Sequence, residues 1–376
     1  MKNVYLFKYI SLVVIVISFW SCGSDDSQNY VEVTPVAPVP PPPAPESPVV
    51  LDFNATPFPY ANLSEYKFFT GEMKNLEPAY KVLPYDLNST LFTDYAHKKR
   101  FIWMPAGSKA TYDEDGKVLE FPSGTVLIKS FYYNNVQPAN TTRIIETRLM
   151  IKKGTEWIFA NYIWNDEQTE ATLNMNGSFT NISWNEGGTI KTTDYRIPSE
   201  VECFTCHKSD NAAIPIGPKP QNLNKIYPYI TGSKNQLSKW VEEGYLADNL
   251  PPSIVSTVDW TDEAQPLETR VRSYLDINCA HCHHEGSHCD YRAMRFAFNE
   301  TTVPQNLGIC VPPDEVISPS LTYIVAKKNS LRSVLTYRLK SVNPSERMPL
   351  LGRTVKHEEA VALIEQWINS MDEPCP

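Results

Sequence analysis

Between residues 100 and 196 short apolar runs alternate with turn-forming clusters. "VLEFPSGTVLIKSFYY", "RIIETRLMI", "TEWIFANYIWN" and "GGTIKTTDYRI" are rich in Val, Ile, Tyr, Phe and Trp, and "NNVQPAN", "KKG", "NMNGS" and "NEGG" punctuate them. β-Branched and aromatic residues suit a pleated, packed surface, while Gly, Pro and Asn supply turn backbone. The pattern predicts an antiparallel, sandwich-like β domain over 100–196. Residues 49–99 lead into it without a clear period.

Beyond 197 the spacing of apolar positions becomes helical. "SKNQLSKWVEEG" sets Leu237, Trp240 and Val241 on one side of a short helix that stops near Gly244, and "ETRVRSYLDIN" reads as a helix running into a turn. "NSLRSVLTYRLKS" aligns Leu331, Val334, Leu335 and Leu339, and "HEEAVALIEQWINSM" aligns Val361, Ile364, Trp367 and Ile368. Apolar residues three and four apart make one helix face. The expected fold class is therefore multidomain: an antiparallel β domain followed by mostly α-helical regions at 197–264 and 265–376.

The front end has a different character. Residues 1–21 carry Lys2 and Lys8, then an apolar run from Tyr9 to Trp20, then Ser21. That is the shape of an export signal, too short to span a bilayer comfortably. Cys22 follows a small residue at the end of the run, which predicts a bacterial lipoprotein signal with Cys22 as the lipidated residue. Residues 22–48 are small, polar and proline-rich, and are expected to form an extended tether of about 3 Å per residue. Together these features place the body in the envelope of a Gram-negative bacterium. It would be lipid-anchored, at the outer membrane, facing the periplasm or the surface.

Composition narrows the partners. The chain has 376 residues, 34 basic and 43 acidic side chains, and a net charge of -9. The densest basic block is "HKKR" at 97–100, which argues against a nucleic-acid role. "WNDEQTEATL" crowds Asp166, Glu167 and Glu170, a pattern open to calcium or acid–base chemistry but more simply a charged, solvated turn.

Of the eight cysteines, seven remain to be placed besides Cys22. Cys203 and Cys206 are followed by His207, and Cys279 and Cys282 by His283. C-x-x-C-H is the spacing of c-type haem attachment: two thioethers fix the ring edge, and the adjoining histidine is held beneath the iron. Two matches in one exported chain predict two covalently bound haem c groups. A redox dithiol, a four-cysteine zinc site and structural disulfides are the other readings, and each leaves the two histidines unexplained. Of Cys289, Cys310 and Cys375, the expected disulfide is Cys289–Cys310, bracketing the segment after the second motif.

Each iron also needs a distal partner or an open face. Met348, in the breaker-rich stretch "SVNPSERMPLLGRT", is the expected distal ligand of the second haem, and methionine raises the potential. For the first haem the candidates stay open: His97, Met104, Met150 and Met175 upstream, or His281, His284 and His288 from the second motif region, or no ligand.

Several stretches in order carry a further likeness: "LFTDYAHKKRFIWMPAG", "FPSGTVLIKSFYY", "ETRLMI", "YIWNDEQTEATL", "ECFTCH", "IGPKPQNLN", "YLDINCAHCHH", "MPLLGR" and "ALIEQWI". From roughly Pro84 to Met371 the chain resembles a di-haem c-type cytochrome family of exported bacterial proteins. The tail from 265 also resembles the class I cytochrome c domain. The resemblance implies haem on Cys203/Cys206 and on Cys279/Cys282, with His207 and His283 as proximal ligands and Met348 as the distal methionine. It implies no firm distal ligand for the first haem and no established reaction. The expected function is electron transfer with redox protein partners in the envelope. The alternatives are a di-haem enzyme of peroxidase or oxidase type, with chemistry at the first haem, and a binding module that docks a partner through the β domain.

Overall fold

The apolar runs pair into one antiparallel sheet of eight strands, seen in a computed structural model that describes residues 45–376. The export signal, Cys22 and most of the proline tether lie outside the described residues. The strands are Leu83–Tyr85 (β1), His97–Trp103 (β2), Val126–Val136 (β3), Thr141–Lys153 (β4), Glu156–Trp164 (β5), Ala171–Leu173 (β6), Asn176–Glu186 (β7) and Thr189–Ser199 (β8). The order runs β8-β7-β3-β4-β5-β6, and β2, carrying β1, lies along the first half of β3. At the other end of β3, Val136 pairs with Trp184 of β7. The β7–β8 hairpin closes through Gly187 and Gly188, both at positive φ, which only glycine adopts without strain.

Register decides which residues share a face. Leu127, Lys129 and Phe131 of β3 lie opposite Met150, Arg148 and Glu146 of β4. Met150 and Arg148 in turn lie opposite Phe159 and Asn161 of β5. The other face carries Val126, Ile128, Leu149, Ile151, Ala160 and Tyr162, which pack with Tyr60, Leu63, Tyr66 and Phe68 from the lead-in. The centre of the sheet is thus covered on both sides, which is why β3, β4 and β5 read as nearly continuous apolar runs, whereas much of β7 and β8 is exposed.

The sandwich-like expectation is corrected here. All eight strands belong to one hydrogen-bonded sheet, and its covering layers are loops and short helices instead of a second sheet. "HKKR" forms part of β2, where Arg100 is buried and pairs with Asp86 at 2.8 Å.

The expectation of mostly α-helical haem-binding regions is overturned as well. Strand accounts for 28% and helix for 20%, with six short α-helices among the described residues. They are Glu200–His207 (α1), Pro220–Leu223 (α2), Gln236–Glu242 (α3), Leu267–Leu275 (α4), Val334–Lys340 (α5) and Glu358–Ser370 (α6). The periodic faces exist but are brief. Leu331 is 77% exposed in a separate 3-10 turn, while Val334, Leu335 and Leu339 are buried. From 281 to 333 the chain has no α-helix and is held by turn hydrogen bonds and side-chain anchors. No helix among the described residues is long and apolar enough to cross a membrane.

Two cores flank the motif segments. One joins Leu83, Ile102, Leu127 and Met150 to Leu237, Trp240 and Ile277, spanning sheet, α3 and the turn before the second motif. The other packs α4, α5 and α6 through Val271, Leu275, Leu335, Ile364 and Trp367. Asp276 lies between them and is 3% exposed. Its carboxylate accepts from Lys219 Nζ at 3.1 Å, Gln221 Nε2 at 3.2 Å, Asn222 Nδ2 at 3.3 Å and the Phe298 amide at 3.0 Å. A buried carboxylate is tolerated because it is paired and fully hydrogen-bonded. "PKPQNLN" and "YLDIN" therefore meet around one charge.

The disulfide also differs from expectation. Cys310 bonds Cys375, not Cys289. The C-terminal tail returns to the 323–327 segment, where Tyr323 Oη donates to the Pro376 carbonyl. Cys289 instead lies buried beside the second motif, its amide donating to the Cys282 carbonyl at 2.9 Å.

Replacing Asp276 with Ala leaves Lys219 unpaired next to three stranded donors. The expected loss is about 4 kcal/mol of unfolding free energy, measured by urea denaturation. A loss below about 1 kcal/mol would mean that Asp276 behaves like a surface ion pair.

Candidate cofactor site

The first motif is set by the strand before it. β8 ends at Ser199, whose hydroxyl accepts from the Glu202 amide while the Glu202 carboxylate accepts from the Ser199 amide. This reciprocal cap starts α1. Arg196 of β8 binds the same Glu202 through two nitrogens, at 2.6 and 3.2 Å. With the helix start fixed, Cys203, Cys206 and His207 fall three and four residues apart and share a face. All three line a cleft of about 1110 Å³, counted to its open mouth. The sheet supplies one wall with Lys129, Arg148, Met150 and Phe159, and Pro349, Leu351 and Gly352 lie against it too.

His207 is held in one tautomer. Its Nδ1 is 2.7 Å from the Ile214 carbonyl, which can only accept, so Nδ1 carries the proton and Nε2 is left for an electrophile. Phe159 packs on the ring at 5.3 Å between centroids. Burial, with the Lys129 charge second, holds the His207 pKa down at about 3, and the ring stays neutral. Burial pushes the Cys203 thiol up to about 11.

The second motif follows α4 through a π-turn at Asp276–Ala280. Asn278 anchors it: Oδ1 accepts from the Phe92 amide at 2.8 Å and Nδ2 donates to the Tyr274 carbonyl at 3.0 Å. The His283 amide donates to the Cys279 carbonyl at 3.1 Å, so this motif too is presented on a helical turn. Cys279 and His283 line a second cleft of about 1070 Å³ with Phe296, Leu335, Arg338 and Met348. Burial holds the His283 pKa at about 4 and pushes Cys279 up to about 12. His283 Nδ1 is buried without a protein partner.

Met348 therefore lies in the same cleft as His283. Its loop is pinned by Arg353, which is 2% exposed. The guanidinium donates to the carbonyls of Met348 (3.1 Å), Val355 (3.1 Å), Arg338 (3.0 Å) and Ser341 (2.9 Å). Asp94 fixes the next two residues, accepting from the Thr354 amide at 2.6 Å and the Val355 amide at 3.0 Å. Burial raises the Asp94 pKa above the ordinary carboxylate value.

Of the open candidates for the first cleft, Met150 and His281 line it. His97 stacks on Tyr132, Met104 is buried in the core, and Met175 Sδ accepts from the Asn161 amide. His284 Nδ1 bonds the Glu285 carbonyl, and His288 lines a smaller cleft near Met348. The acidic stretch after Trp164 is a structural turn. Asp166 pairs with Arg143 at 2.6 Å, and Glu170 accepts from the Ser64 amide at 3.3 Å.

The strands also bring unexpected charges to the first cleft. Arg148 pairs with the fully buried Glu146, which also accepts from Tyr195 Oη at 2.7 Å. Burial is the largest single effect and works against the Arg148 cation, but the charge and hydrogen bond of Glu146, with Tyr195 and Cys203, together outweigh it and raise the pKa. Burial, then Arg100 and Arg148, bring the Lys129 pKa down to about 7. The sequence signal was available: a Lys and an Arg inside strands that are otherwise buried on both faces.

The four motif cysteines do not gather into one ligand set. Among the described residues, the cluster that could hold a metal ion is Cys206, His281 and Cys282, whose ligand atoms all lie within 4.8 Å of one another. Contact with Cys282, aided by His281, draws the Cys206 thiol well below its ordinary value, and the same contact pushes Cys282 up.

Comparison with protein-family models, curated proteins and solved structures finds no match for this chain.

Arg353→Ala removes four hydrogen bonds to carbonyls of half-buried residues and is expected to lower stability by about 3 kcal/mol. Denaturant unfolding checks this. Arg353→Lys should recover only part of it, because an ammonium cannot reach carbonyls on both sides of the plane.

Proposed function

We propose that the protein is a di-haem c-type cytochrome that transfers electrons in the cell envelope. The observation that carries the proposal is the first motif. Cys203, Cys206 and His207 share one face of α1, line one cleft, and present a neutral His207 whose Nδ1 is already committed to the Ile214 carbonyl. A carbonyl-bound Nδ1 orients and strengthens the opposite nitrogen as a metal ligand.

The donor sets fit the group. Cys203, Cys206 and His207 line one mainly apolar cleft, Cys279 and His283 line another, and Cys282 faces a smaller cleft shared with Cys206. Lys129 in the first cleft and Arg338 in the second suit a ligand that carries carboxylates at one edge, whereas Arg148, Arg196 and Arg292 are already paired with Glu146, Glu202 and Asp314/Glu315. Cys203 and Cys206 would hold one haem with His207 as axial ligand. Cys279 and Cys282 would hold the other with His283, and Met348 would be its distal partner. The bound group supplies one-electron redox chemistry. The chain's own residues hold it, exclude water from its faces and set the charge around it.

The export signal and Cys22 support a lipid-anchored envelope location with redox proteins as partners. The cationic first cleft, with Met150 and His281 at its wall, also leaves room for catalysis there. A high-spin component in the ferric spectrum would favour that second reading. The Cys206–His281–Cys282 cluster supports a third, a soft divalent ion in place of haem.

Protein produced in cells that mature c-type cytochromes should show two haems c per chain in alkaline pyridine, and C279S/C282S should retain one. Colourless protein containing zinc would replace this proposal with the metal-ion reading. Met348→Ala should abolish a methionine–iron charge-transfer band and lower the midpoint potential of the second site. A surviving band would remove Met348 as ligand.

A further inference from the structure

The proposed function assigns each motif its own cofactor, and the structure places the two motifs against each other. We propose that Cys206, His281 and Cys282 form a junction that fixes the two attachment sites edge to edge, so that the two cofactors behave as one coupled pair. The inference rests on the haem proposal and extends it.

Three observations carry it. First, Cys206 and Cys282 occupy the same place in their motifs, each directly before its histidine, and their sulfurs and a His281 ring nitrogen all lie within 4.8 Å. A thioether bond ties a sulfur to the rim of the macrocycle, so neighbouring sulfurs bring neighbouring rims. Second, the loops after the motifs are stitched together by the Asp210 amide, which donates to the Gly286 carbonyl at 2.8 Å. Gly286 has φ +75, and a Cβ there would lie 2.5 Å from Asp210 Oδ1 and 2.9 Å from the Asp210 amide nitrogen. The approach depends on the missing side chain. Third, a small cleft bridges the two large ones and is lined by Cys206, His281, Cys282 and Met348. His281 Nδ1 is buried there without a protein partner. The imidazole lies against the two sulfurs, and all three side chains are half-buried.

The test begins with intact mass, which must show two haems. A mass without two haems overturns the proposed function and the coupled pair with it, whereas two haems with independent spectra overturn the coupled pair alone. Given two haems, the fully ferric protein is compared by electron paramagnetic resonance with C203S/C206S and C279S/C282S. The expected wild-type spectrum departs from the sum of the two single-site spectra. In wild-type protein poised with one site ferrous, the half-saturation power of the remaining ferric signal should fall several-fold from its fully ferric value. That arm needs no variant to fold. Gly286→Val should keep two haems and bring the spectrum closer to the sum. A wild-type spectrum equal to the sum, with half-saturation power unchanged by reduction of one site, would overturn the junction.

Discussion

A single buried carboxylate organises the motif region. Asp276 sits three residues before Cys279 and is almost fully removed from water. A charge in that position must be matched, and the match comes from distant parts of the chain: Lys219, Gln221 and Asn222 on one side and the Phe298 amide on the other. The segment after the first motif is thereby locked to the turn that opens the second. Asn278 adds the tie to Phe92, which brings the 91–95 segment to the same place. Asp94 in that segment then holds Thr354 and Val355, and so the methionine loop. One satisfied polar chain links both motifs and Met348 to the sheet.

The sheet contributes rigidity and charge. Its central strands β3 and β4 are largely buried on both faces, so a cation projecting from their middle cannot retreat into solvent. Arg148 is stabilised by Glu146, whereas Lys129 has no such partner and its amine is easily neutralised. A cleft built on such a wall favours an apolar ligand with acidic groups at its margin. The same wall holds His207 neutral. Burial thus disfavours charge across the site: His207 stays neutral, Lys129 is easily neutralised, and Arg148 keeps its charge beside Glu146.

Much of the local chemistry was legible along the chain. The C-x-x-C-H triplets need only a helical turn to align, and α1 and the turn at 279–283 provide one each. Strands β3, β4, β5 and β8 were visible as apolar runs, and α6 as a clean stripe of Val361, Ile364, Trp367 and Ile368. What misled was extrapolation from periodicity to architecture. Short stripes such as Val334, Leu335 and Leu339 make short helices, not a helical domain. Strand β2 escaped notice because Arg100 is accommodated by Asp86, a partner no local window contains, and β7 because it begins inside the turn-like stretch "NMNGS" and is largely polar. The Cys310–Cys375 bond was missed because chain proximity favours Cys289, while the returning tail brings Cys375 closer in space.

The sequence by itself determined the residue types at each motif, their spacing and the turns that present them, because these depend on contacts within a few residues. The tertiary structure alone decided that Cys206 meets Cys282, that Met348 enters the cleft of His283, and that Lys129 and Arg148 face His207. Those juxtapositions join positions tens to hundreds of residues apart. They follow from strand register, from the burial of Asp276 and from the close approach at Gly286, which exist only once the chain has packed.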